Sequence, residues 1–157
     1  MCGIGGFYNC TGGSTPMKAL KSLWRGLEAR GMHASGFAVG WVECDSPIVV
    51  KRPGRVNPLM HKLGQFASNT NTQYVLLHTR YTTQGSVENN DNNHPVTAHG
   101  MVVTHNGVLW NDRQTLLDLA VDPVAEVDTE AINAGLRYRT PGWVLDEVNG
   151  SMSVAWV

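Results

Sequence analysis

Apolar positions along this chain fall into two rhythms. Short runs that alternate or stay apolar between Gly, Asn, Ser and Pro read as strands; apolar residues every third or fourth place read as helices. Residues 4–8 form a short buried strand on this reading and residues 11–15 a loop. A helix follows, with Thr15 as N-cap, Pro16 at the first helical position, and Met17, Leu20, Trp24 and Leu27 along one core-facing side. Gly31 is placed to end it in a left-handed cap.

Residues 37–42 and 48–51 are strand-like and joined by a turn around Asp45-Ser46-Pro47. Residues 59–67 suit a short helix, residues 74–79 a stronger strand, and residues 82–93 a polar connection. Residues 101–104 and 108–110 flank His105-Asn106-Gly107, where Asn-Gly predicts a tight turn or a bend with positive φ. Asn111 or Asp112 caps a helix running to Ala120, and a second helix follows Asp128, whose carboxylate suits an N-cap with Glu130 in the first turn. Residues 143–148 are a third short helix and residues 151–157 alternate as a strand. Strands in two groups with helices between them predict an α+β fold with antiparallel sheets joined by hairpins. Ending on an apolar strand leaves two expectations open. Either that strand is tucked into a sheet, or the chain is C-terminally truncated relative to its domain.

The length of 157 residues fits one domain with a real core, and no repeat or linker divides it. Twelve basic against thirteen acidic side chains, with no basic stripe, argue against a nucleic-acid or anionic-membrane surface. No apolar run reaches the ~18 residues of a membrane span, and the start lacks a secretory pattern, so the expected compartment is the cytoplasm. Three cysteines without CxxC spacing do not make a disulfide framework or a zinc site. The six histidines are too scattered for a metal set, so neither a metal nor another cofactor is expected.

Chemistry enters at Cys2. Loss of Met1 would place a thiol and a free α-amine on one residue, and an amine with a reference pKa near ~7.7–8.0 can serve as the base for a thiol nucleophile. Position alone leaves open that Cys2 is incidental. Three polar clusters interrupt the core pattern: the segment from His78 to Gly85 with Asn93-His94-Pro95 beyond it, His105-Asn106-Gly107, and Val127-Asp128-Thr129-Glu130. Each alone also reads as a strand end, a turn or a helix cap.

In order, MCGIGG, ARGMHASG, HTRYTTQG with NNHP, HNG and DTE resemble the glutaminase domain of class II glutamine amidotransferases. The pattern is nearer the branch of glucosamine-6-phosphate synthase and amidophosphoribosyltransferase than that of asparagine synthetase. The resemblance spans residues 2–157 and implies a four-layer αββα sandwich of two antiparallel sheets, of the N-terminal-nucleophile hydrolase type. It implies that residues 1–157 are a glutaminase domain with no synthetase domain. Cys2 would attack the side-chain amide of L-glutamine, with its α-amine as base, to give a γ-glutamyl thioester and then glutamate and ammonia. Asn106 and the Gly107 N–H would form the oxyanion hole. Arg80 would hold the substrate carboxylate with help from Thr83, and Asp128 would bind its ammonium. Tyr81, Gln84 and His94 would line the substrate side, with His94 a wall of the loop over it and His78 a structural hydrogen-bonding residue.

Three positions depart from the family pattern. Tyr81 stands where many members have Trp, Gln84 where many have His, and His33-Ala34 where Asp-Ser is common. The favoured expectation is a glutaminase that passes ammonia to a separate synthetase subunit. A non-catalytic glutamine-binding or scaffolding module and another N-terminal-nucleophile amidohydrolase are the alternatives. The Arg80 and Asp128 pair suits a free amino acid, which presents one carboxylate and one ammonium.

Overall fold

The computed structural model describes residues 1–44 and 46–157. Among these residues seven strands form two antiparallel sheets. The first has the order β1-β4-β2-β3, built from β1 (Gly3–Tyr8), β2 (Ala34–Trp41), β3 (Ile48–Pro53) and β4 (Thr72–Arg80). The second has the order β5-β6-β7, from β5 (Val96–Ala98), β6 (Met101–Leu109) and β7 (Gly150–Trp156). Helices α1 (Met17–Leu27) and α2 (Met60–Ala67) cover the first sheet. Helices α3 (Asp112–Asp118), α4 (Thr129–Tyr138) and α5 (Pro141–Glu147) pack with the second sheet.

Strand periodicity builds the layers, because successive side chains point to opposite faces. On β2 and β4, Phe37, Val39, Val75 and Leu77 pack under Trp24 of α1 and Leu63 of α2. Trp24 meets Phe37 edge to face at 5.6 Å. The intervening Ala38 and Leu76 turn inward and meet Val102 of β6, Ala155 and Val157. On the far side Val103 of β6 packs with Ile132 and Val144. Helices, sheet, sheet and helices thus stack in four layers, as expected. His78 and Arg80 share the inward face of β4 with Leu76, so one strand face runs from the apolar seam into a polar end.

Several local expectations are corrected. Pro16 itself occupies the N-cap, at φ −77° and ψ 67°, and no side chain caps the helix. The Met17 N–H returns to the Thr15 carbonyl at 2.8 Å in a γ-like turn, which moves the start past Thr15 and leaves its buried Oγ1 without a partner. Gly31 is not left-handed. It is required because a Cβ there would lie 2.5 Å from the Arg80 carbonyl carbon and the Tyr81 nitrogen. Asn106-Gly107 is no turn but the middle of β6, paired with Ser153 and Met152 of β7.

Asn111 precedes α3 without capping it; its side chain instead accepts from Asn149 N and donates to the Glu147 carbonyl. That helix ends at Asp118 rather than Ala120. Asp128 precedes α4 in a helical conformation, and its side chain makes no cap hydrogen bond there. The short strand β5 was not expected. The expected turn at Asp45 lies outside the described residues.

Candidate active site

β1 begins directly after Cys2 and pairs with the end of β4, Gly3 opposite Thr79, so the register sets Cys2 beside Arg80 and Tyr81. The Cys2 Sγ accepts from the Tyr81 N–H at 3.4 Å. The Cys2 N–H donates to Asn106 Oδ1 at 2.9 Å, and Arg30 Nε donates to the Cys2 carbonyl at 2.9 Å. Both ends of the residue are therefore tied down. Burial pushes the Cys2 thiol above its ordinary value, outweighing the Tyr81 backbone contact, the N-terminal charge and Arg80. A thiol held up in this way needs a base before it can attack.

Cys2, Arg80, Tyr81, Thr83, Gln84, His94, Gly107 and Asp128 line one cavity of about 20 Å³. That is room for about one water molecule. Asn106 stands on the other side of the thiol, in an adjoining cleft of about 370 Å³ that also takes in Met1, Cys2, Thr83, Gly107 and Ser151. All nine site residues read from the sequence meet around the thiol. A larger cleft of about 470 Å³ along α3 shares Gln84 and Val127 with the small cavity but carries no nucleophile.

The charges are individually fixed. Arg80 is buried, with Nη1 donating to Asn93 Oδ1 at 2.9 Å and Nη2 donating to the Gln84 and Gly85 carbonyls. Asp128 Oδ2 accepts from the Leu109 N–H at 2.9 Å, and Oδ1 lies 3.6 Å from His105 Nδ1. Burial alone would raise the Asp128 carboxyl pKa, but the nearby His105 imidazole and the Leu109 N–H hold it below the usual carboxylate value. Gln84 Nε2 reaches Asp112 Oδ2 at 3.5 Å, while Thr83 is exposed at the rim. His94 is buried, stacked on His78 at 4.3 Å, and bonded through Nε2 to Thr129 Oγ1 at 2.8 Å.

Burial keeps His78 neutral, with a pKa pushed down to about 3, and it pushes His94 well below its ordinary value. His78 Nε2 lies 3.2 Å from the His105 carbonyl, the structural role expected of it. Two of the departures from the family pattern touch each other. His33 packs its ring against Tyr81 at 4.8 Å and accepts the Thr82 N–H on Nδ1 at 3.0 Å.

Sequence reasoning missed His105, Thr129 and Val127 on the cavity wall, and Arg30 behind the thiol. His105 and Thr129 sat within motifs already singled out, one residue from Asn106 and from Asp128. Arg30 stood within the ARGMHASG motif but was assigned no role there. Among the described residues no three His, Cys, Asp or Glu side chains gather as a metal site, and no helix is long and apolar enough to cross a membrane.

The family model for class II glutamine amidotransferases matches residues 8–137. The chain belongs to that family. It is 30% identical over 145 residues to glutamine–fructose-6-phosphate aminotransferase (isomerizing) of Saccharomyces cerevisiae, covering 84% of this chain and 20% of that one. Against the enzyme of the same name from Xylella fastidiosa it is 33% identical over 141 residues, covering 88% and 22%. This glutamine amidotransferase chain thus spans about a fifth of the length of those relatives. Its fold is that of the B. subtilis glutamine phosphoribosylpyrophosphate amidotransferase, with a TM-score of 0.72 at 16% identity over all of this chain and 35% of that one.

Proposed function

We propose that residues 1–157 are a glutaminase domain in which Cys2, freed by loss of Met1, hydrolyses the side-chain amide of L-glutamine. The single observation that carries this reading is the cavity where a thiol, a buried guanidinium and a buried carboxylate meet. A free amino acid needs one fixed cation for its carboxylate and one fixed anion for its ammonium. Arg80 and Asp128 supply them, and Arg80 offers a planar fork that lysine lacks. The amide at the far end of the substrate then falls to Cys2.

The Cys2 nitrogen, a peptide nitrogen while Met1 is attached, becomes the α-amine when it leaves. Its bond to Asn106 Oδ1 holds that amine in place and turns the Asn106 amide group toward the thiol side. Asn106 Nδ2 and the Gly107 N–H then serve the developing oxyanion, a donor pair of the kind whose single members are worth about 10²–10³ in rate. The amine takes the thiol proton and returns it to the leaving ammonia, and water releases glutamate from the thioester. The ammonia passes to an acceptor on a separate synthetase subunit, and the setting is cytoplasmic. Because the cavity holds only about one water, it must widen before the substrate's α end can enter. The same closed cavity is what favours the second reading, of a module that does not turn over glutamine.

The experiment is glutamine hydrolysis by the purified chain, with intact mass measured in parallel. Loss of Met1 and release of glutamate are expected, and Cys2→Ala and Cys2→Ser should each abolish release while the circular dichroism spectrum is unchanged. A folded wild type lacking Met1 that releases no glutamate would establish the module reading. Faster cleavage of a different amide would point to another amidohydrolase.

A further inference from the structure

Thr129 Oγ1 is fully buried between two imidazoles, 2.8 Å from His94 Nε2 and 3.1 Å from His105 Nδ1. Its one hydrogen can serve only one of these rings. His94 Nδ1 and His105 Nε2 are both buried without a partner, and in either arrangement one of the two carries an unpartnered N–H. Asp128 breaks the tie. Its Oδ1 lies 3.6 Å from the same His105 Nδ1. A lone pair on that nitrogen would face a carboxylate oxygen, whereas a proton there is attracted to it. The proton therefore belongs on Nδ1, directed between Thr129 and Asp128, and the Thr129 hydroxyl donates to His94.

We propose that His105 is a positioning residue for the Asp128 carboxylate. Its Nδ1–H steadies Oδ1 while the Leu109 N–H holds Oδ2. An ionised carboxylate offers about four lone-pair directions, so two remain for a substrate ammonium. β6 supplies both Leu109 and His105, and Gly107 between them leaves room for the ring: a Cβ at Gly107 would lie 2.6 Å from His105 Nε2. The strand that carries Asn106 and Gly107 toward the thiol thus also aims the anion at the opposite end of the substrate. The inference rests on the reading of Asp128 as the ammonium site.

The test compares L-glutamine with 4-carbamoylbutanoate, which is glutamine without its α-ammonium. His105→Phe should raise KM for glutamine about fivefold, as loss of one net polar contact does. Its kcat, and the turnover of 4-carbamoylbutanoate, should fall by much less than kcat/KM for glutamine. His105→Asn, whose amide reaches the place of Nδ1–H, should restore most of the glutamine KM. A variant equally impaired on both amides, or a His105→Asn no better than His105→Phe, would overturn the proposal. A wild type with no preference for glutamine over the analogue would overturn the Asp128 reading itself. Nitrogen-15 spectra of the imidazoles give a check that needs no turnover: the His105 proton should be on Nδ1, and finding it on Nε2 refutes the assignment.

Discussion

At Gly107 a side chain is excluded from two directions. A Cβ there would collide with the Ser151 carbonyl across the β6–β7 pair and would press on the His105 ring. Neither neighbour is the free end of a flexible chain, so the strands must part to accept one. Gly107→Ala should therefore cost about 1–3 kcal/mol of stability, as overpacking does, and should depress glutamine hydrolysis by more than the stability loss explains. Chemical denaturation and steady-state kinetics on the same preparation check both; an unchanged denaturation midpoint would refute the crowding argument. Residues within an ordered set of motifs were the legible ones. Cys2, Arg80, Asn106 and Asp128 were legible through the ordered motifs that resemble the family, since alone each also read as an incidental terminus, a strand end, a turn or a helix cap. Arg30 lay inside one of those motifs, but its role was illegible until its Nε was seen on the Cys2 carbonyl.

Helix α4 shows how an element is anchored by a residue that motif reading undervalued. Glu130 is fully buried in its first turn, yet its carboxylate does not serve that helix. It accepts from Val124 N at 2.6 Å and Ala125 N at 2.7 Å, and meets His99 Nε2 at 2.9 Å. Glu130 thereby pins the connection that delivers Val127 and Asp128 to the cavity. Glu130→Ala should cost about 2 kcal/mol, because it strands two backbone donors and a ring nitrogen. Glu130→Gln, which keeps one oxygen, should cost less. Midpoints in urea unchanged from wild type in both variants would show that the clamp contributes nothing.

Element boundaries were legible to within two residues where apolar spacing set them, as in β4 and β7. They failed where a polar pair carried the decision. Asn-Gly favours a turn locally, but β7 pairs with β6 through Asn106 and Gly107 to Leu109, and that pairing overrides the local preference. Asp128 failed as an N-cap for a related reason: its carboxylate is drawn to Leu109 of the neighbouring strand.

The two sheets are joined at their polar end by imidazoles, and this couples the stability of the whole molecule to pH. His78 on β4 reaches the His105 carbonyl on β6, and His94 stacks on His78. Both rings are buried, and burial lowers their pKa values, that of His78 from 6.5 to about 3. Below the ordinary histidine value the unfolded chain takes up a proton on each ring and the native chain does not. The unfolded state then binds more protons, so stability falls as pH falls. For His78 the window runs from 6.5 down to about 3, and each such ring contributes about 1.4 kcal/mol per pH unit within it. Asp128 adds a loss of the same sign further down, since a carboxyl held below 3.8 gives up its contribution only as it protonates. Urea unfolding at about pH 7 and about pH 5 should show a steep decline that is shallower in His94→Gln, which removes one of the two titrating rings. The change in slope is the diagnostic, because a merely weakened variant would shift both values together. Parallel lines for wild type and variant would mean that His94 carries its proton in the fold, and that the seam is not held by neutral rings.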